Sequence, residues 1–224
     1  MTARPYVLLS VAASLDGCID DARAARLLLS NEADFDRVDE VRSGVDAILV
    51  GANTIRTDNP RLLIRSPVRR RRRPAAGLPP HPLKVTLTGS GDVDPGAAFF
   101  TTGDSEKLVY TTTGALPEVS KRLGSVATVV AAGHRLALPD LLADLAARGV
   151  RRLMVEGGST VNTLFLAAGV VDELHVVIAP FFVGQPRAPR MVDPAAVLPH
   201  GPERRLTLAE VRQLGEVVLL RYLR

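Results

Sequence analysis

The sequence predicts an α/β fold built on a mostly parallel sheet, with an antiparallel hairpin added near the C-terminus. Two observations carry that expectation. Short, continuous apolar runs, the mark of strands buried on both faces, recur along the chain and alternate with segments of helical period. The last two strand-like segments then flank a single glycine, Gly215. No linker separates two cores and no internal repeat is visible, so residues 1–224 are expected to form one domain.

The first strand is Tyr6 to Ala13, turned away by Ser14-Leu15-Asp16-Gly17. Asn31 to Ser43 carries Phe35, Val38 and Val41 at helical spacing, with Ser30 or Asn31 as N-cap and Gly44 as C-cap. Ala47 to Val50 is a second strand, ending in Gly51-Ala52-Asn53-Thr54 and an irregular Asp58-Asn59-Pro60. The prolines around Arg69 to Arg73 predict an exposed irregular loop. Strands are expected at 84–88, 107–111 and 126–130, and a helix from Pro139 to Arg148, stopped by Gly149. A further strand, Asp172 to Ala179, stops at Pro180. Arg204 to Arg212 and Glu216 to Leu223 form the hairpin, whose Val217, Val218, Leu219 and Leu220 would suit a dimer edge.

Leu153-Met154-Val155-Glu156-Gly157-Gly158-Ser159-Thr160 is the stretch around which the chain is organised. An apolar strand ends there in an acid and two glycines, and Val161, Leu164, Phe165 and Ala168 follow at helical spacing. Glycines let the backbone turn tightly and approach a ligand, and the free N–H groups of a helix N-terminus suit a phosphate. The same pattern also fits a plain strand-to-helix turn with Ser159 or Thr160 as N-cap. Glu156 favours the ligand, because the carboxyl ends of strands in open α/β sheets face the binding crevice.

Several chemistries are excluded. Cys18, the only cysteine, allows no internal disulfide and no cysteine cluster for a metal, and His81, His134, His175 and His200 lack metal-ligand spacing. His175 alternates within a strand and reads as a packed residue. Neither a nucleophile elbow, a Walker loop nor a G-x-G-x-x-G fingerprint is present. No run approaches the roughly 20 apolar residues of a membrane span, and the N-terminus does not read as a signal peptide, so a cytoplasmic location is expected. The net charge of +4 owes much to Arg69 to Arg73, but without tryptophan or a recognition-helix pattern no nucleic-acid partner is expected. What remains can bind a nucleotide cofactor. Hydride transfer suits it, since that reaction needs alignment rather than a protein nucleophile.

Four motifs carry a family resemblance: Ala13-Ser14-Leu15-Asp16-Gly17; Gly51 to Thr54 running to Asp58-Asn59-Pro60; Val155 to Thr160; and Val171-Asp172-Glu173-Leu174 running to Ile178-Ala179-Pro180. In order and spacing the chain resembles the reductase domain of bacterial riboflavin biosynthesis, the C-terminal half of a bifunctional deaminase/reductase. The resemblance implies a dihydrofolate-reductase-like fold, NADPH as donor, and a phosphoribosylamino-pyrimidine whose ribosyl group is reduced to ribityl. It implies cofactor contacts at Ala13, Thr54, Asp58, Gly89, Gly157, Gly158, Ser159, Thr160 and Val161, within a segment reaching Leu164. Substrate contacts are implied at Arg42, Leu62, Arg65 and Glu156, with Glu156 also the candidate catalytic residue and the arginines taking a 5′-phosphate. No deaminase signature precedes residue 1, so deamination is expected of another protein. Ser10 replaces a frequent lysine, and Leu28 and Leu29 stand where an aromatic is common. A reductase of dihydrofolate or a pteridine, a natural-product pyrimidine reductase and a non-catalytic nucleotide-binding module are the alternatives.

Overall fold

The computed structural model describes residues 4–21, 23 and 27–224; the Met1-Thr2-Ala3 part of the N-terminus read above lies outside them. The chain divides into two compact units, Met1–Tyr6 with Asp39–Met154, and Val7–Val38 with Val155–Arg224.

In the first unit the strands are β2 (Ala47–Gly51), β3 (Leu83–Leu87), β4 (Lys107–Thr111), β5 (Thr128–Ala131) and β6 (Arg152–Val155), in the spatial order β5-β4-β3-β2-β6. β2 pairs with β3, β3 with β4 and β4 with β5, all parallel. All five residues of β2 are buried, which is why its sequence is an unbroken apolar run. Between the strands lie α2 (Ala52–Asp58), α3 (Pro67–Ala75), α4 (Ala98–Thr101), α5 (Leu116–Leu123) and α6 (Leu138–Ala147). α6, the helix expected from Pro139 to Arg148, buries Leu141, Leu142 and Leu145. The last residues of α1 (Glu32–Ser43), from Asp39 onward, also belong to this unit.

The second unit holds β1 (Tyr6–Ser14), α7 (Ser159–Ala167), β7 (Glu173–Ala179), β8 (Thr207–Leu214) and β9 (Val217–Leu223), with strand order β1-β7-β9-β8. β1 and β7 are parallel, while β7/β9 and β9/β8 are antiparallel. The fold is therefore α/β with a mostly parallel sheet and C-terminal antiparallel strands. Val177, Val217 and Leu219 form a core on the hairpin side. At the start of α1, Asn31 Oδ1 accepts the Asp34 N–H at 3.0 Å, so Asn31 is the cap.

Several segments differ from expectation. Arg69 to Arg73 lie in α3, not in an irregular loop. Ser66 caps that helix, its Oγ accepting the Arg69 N–H at 3.4 Å, and Pro67 occupies its first turn, where a missing N–H costs nothing. Gly51 to Thr54 does not run straight into an irregular turn, because α2 intervenes and ends at Asn59, whose φ of 45° makes it a left-handed cap. The short α4 and α5 fall between the expected strands, where no helix was read, and β8 begins at Thr207 rather than Arg204.

Candidate functional site

In the second unit, three chain segments meet at the beginning of α7. Gly158 is the N-cap residue, with φ −76° and ψ −179°, and no side chain caps the helix. Neither Ser159 nor Thr160 serves as cap, contrary to the plain-turn alternative: Ser159 lies inside the helix and its Oγ donates to the carbonyl oxygen of Arg190. A glycine cap offers no side-chain acceptor to the first N–H groups of α7, which suits an anionic ligand. At Gly157 a β-carbon would fall 2.7 Å from Cβ and Cγ1 of Val161 and 3.0 Å from Oδ1 of Asn162. The first glycine is therefore required by the packing of its own helix, a cause the spacing did not reveal. Asn162 is fully buried, and among the described residues neither of its amide atoms has a hydrogen-bond partner. Glu156 is half-buried just before this turn.

The turn after β1 is fastened to the 181–191 segment. Ser14 Oγ donates to Asp16 Oδ1 at 2.5 Å, and Asp16 accepts the N–H groups of Val183 at 3.0 Å and Gly184 at 2.8 Å. Those bonds, the one from Ser14 first, hold the Asp16 carboxyl far below the usual carboxylate range. Arg190 Nη1 in turn donates to the Asp16 carbonyl at 3.0 Å. Arg190 so connects the β1 turn with Ser159. Ala13 is buried opposite Ile178 of β7, leaving little but backbone to offer a ligand. His175 is packed, as its alternation implied. Its Nδ1 lies 3.1 Å from Arg37 Nη1, and since a guanidinium only donates, Nδ1 is the acceptor and Nε2–H donates to Glu173 Oε1 at 2.8 Å.

In the first unit, Thr54 and Asp58 share one face of α2 at i and i+4 and are half-buried. Gly89 is exposed just beyond β3, with open space around its α-carbon. Arg42, Leu62 and Arg65 are brought together. Arg42 Nη1 donates to the Leu63 carbonyl at 3.3 Å, which fixes the last turn of α1 against the 62–66 segment. Leu62 is buried at a φ of 49°, an unusual conformation for a branched residue, held by this surrounding framework. The Arg65 side chain is exposed, while its N–H donates to Asp39 Oδ1. Asp39 was not among the residues singled out from sequence; its only signal was an acid at 39 facing a run of arginines far along the chain.

Residues 5–220 match the family described as the RibD C-terminal domain. A protein of Archaeoglobus fulgidus named 2,5-diamino-6-ribosylamino-4(3H)-pyrimidinone 5′-phosphate reductase is 36% identical over 95% of this chain and 95% of its own length. One of the same name from Methanothermobacter thermautotrophicus is 36% identical over 98% of both. Among solved structures, a pyrimidine reductase-like protein of Corynebacterium diphtheriae superposes with a TM-score of 0.81 at 22% identity, covering 98% of this chain and 91% of that one. Acinetobacter baumannii RibD superposes at 0.78 with 24% identity over 98% of this chain, which spans 58% of that longer protein. At these identities the structures speak to the fold alone.

Proposed function

The chain belongs to the RibD C-terminal domain family, and from that premise we propose that it is an NADPH-dependent reductase, a single domain over residues 1–224. Its substrate is the diamino ribosylamino-pyrimidinone 5′-phosphate, taken before deamination. The near full-length match to relatives named for that compound carries the reading.

The residues fit a dinucleotide. Uncapped N–H groups at the start of α7 suit a pyrophosphate, so Gly157, Gly158, Ser159, Thr160 and Val161 are assigned to it, with Ala13, Thr54, Asp58 and Gly89 as further cofactor contacts. When bound, NADPH supplies the hydride. In the ring-opened substrate, the C1′=N bond gains that hydride at carbon and a proton at nitrogen, which leaves a ribityl chain. Glu156, half-buried before the turn, holds a sugar hydroxyl or handles that proton. Arg42 and Arg65 take the 5′-phosphate by charge-assisted hydrogen bonds, with Leu62 beside them.

No helix among the described residues is long and apolar enough to cross a membrane, and a phosphorylated substrate does not diffuse through one; we assign the enzyme to the cytoplasm. We also assign it a homodimer, formed through the hairpin, and no nucleic-acid partner.

The test is NADPH oxidation with four acceptors: the diamino compound, its deaminated counterpart, its dephosphorylated riboside and a dihydropteridine. The diamino phosphate is expected to give the highest kcat/KM, and the riboside at least tenfold less. Equal use of phosphate and riboside would sink the phosphate assignment, and faster turnover of the dihydropteridine would replace the substrate.

A further inference from the structure

We propose that Asp39 and Arg69 form a positioning pair that sets the Leu62–Ser66 segment, and through it Arg65 and Arg42, for the substrate phosphate. The proposal rests on the assignment of those two arginines to that phosphate.

Asp39 is buried, and its carboxylate accepts three donors: the N–H of Arg65, the N–H of Ser66 at 3.1 Å and Nη1 of Arg69 at 3.1 Å. Together with the bond from Arg42 to the Leu63 carbonyl, this ties α1 to Leu63, Arg65 and Ser66 of the segment. One acid therefore fixes where the backbone of Arg65 emerges. A buried carboxylate near two phosphate-binding arginines would otherwise be harmful. It would compete for their guanidinium groups and repel the phosphate, in surroundings where charges are poorly screened. Arg69 removes that conflict. Its guanidinium spans Asp39 and Glu40, and its side chain is only 15% exposed, so the Asp39 charge is answered locally.

The same geometry gives the arginine run a division of labour. Arg69 is the counter-charge, and Arg73, buried, donates to the carbonyls of Pro79 at 2.7 Å, Ser43 at 2.8 Å and Val45 at 2.7 Å. Arg71 and Arg72 are exposed and take no part.

Steady-state kinetics on Asp39→Asn, Arg69→Ala, Arg69→Lys and Arg71→Ala test the pair, with the phosphorylated substrate, the riboside and NADPH each varied and thermal melts run alongside. Asp39→Asn places an amide donor against the donors of Ser66 or Arg69. Asp39→Asn and Arg69→Ala are each expected to raise KM for the phosphorylated substrate roughly tenfold, about 1.4 kcal/mol. KM for NADPH, kcat, and kcat/KM for the riboside should stay within about twofold. Arg69→Lys restores part of the loss, and Arg71→Ala matches wild type. Should Asp39→Asn fail to fold, the Arg69 variants decide. A folded variant with unchanged KM for the phosphorylated substrate, or an equal loss on phosphate and riboside, overturns the pair. Equal use of both substrates by the wild type overturns the phosphate assignment instead, so the two failures are distinguishable.

Discussion

Gly157 and Glu156 stand side by side and do different work. The absence of a side chain at Gly157 is first a matter of packing, because Val161 and Asn162 occupy the place of its β-carbon. Gly157→Ala should therefore lower stability by about 1–3 kcal/mol through overpacking. Val161→Gly removes both Val161 atoms that crowd that position. The double variant should then lose clearly less stability than the two single losses added together, as expected for residues in contact. Additive losses in denaturant titrations would show that the crowding is not the cause. Glu156 is half-buried and leaves the strand just before that turn. Glu156→Gln should keep the fold and bind NADPH within about twofold of wild type, while kcat/KM falls on the order of a hundredfold, the scale of a lost acid or base. Wild-type kinetics in that variant would remove Glu156 from the site.

At the scale of elements, the sequence was legible where burial is complete. β2 and β6 read as strands because both faces of each are covered and every core position is apolar. α3 was not legible, since its five arginines have no apolar face to give them away; the helix rests on its Ser66 cap and on ion pairs and carbonyl contacts from distant segments. β3 hides a different exception. Lys84 is fully buried in it, with Nζ 3.0 Å from the Phe99 carbonyl and 2.6 Å from that of Thr102, and burial pushes the ammonium down to about 8, helped by nearby Lys107. Its folded pKa lies below the ordinary 10.5, so folding disfavours the charged form. The Lys84 contribution to stability is therefore lowest below pH 8 and rises until the pH passes about 10.5. Lys84→Met has no such titration. The melting temperature of wild type minus that of Lys84→Met should increase between pH 8 and 10, and a flat difference would mean the buried lysine is not depressed.

For the whole molecule, the turn before α7 was legible because two glycines and a terminal acid leave local marks in sequence, whereas Arg42, Leu62 and Arg65 were named only through the family resemblance. The supports behind them leave none: Asp39, Arg69 and Arg190 act through partners 26 or more residues away. The proposed dimer face is written the same way. Leu208 and Val211 of the outermost strand are three residues apart, and strict alternation would send them to opposite faces. A register irregularity between Leu208 and Glu210 changes that. Leu208 pairs with Tyr222 and Val211 with Leu220, and Tyr222 and Leu220 are two residues apart on one face of β9. Leu208, at 52% exposure, and Val211, at 61%, thus extend a single apolar face on the hairpin. A second copy presenting the same face would cover it and protect the open edge of β8. Light scattering behind a sizing column should find wild type at twice the chain mass of 23.9 kDa at micromolar concentration. Val211→Lys, which puts a charge into that apolar face, should shift it to a single chain with its melting profile still cooperative. A wild type that runs as one chain, or a Val211→Lys variant that remains a dimer, would remove the hairpin face from the interface.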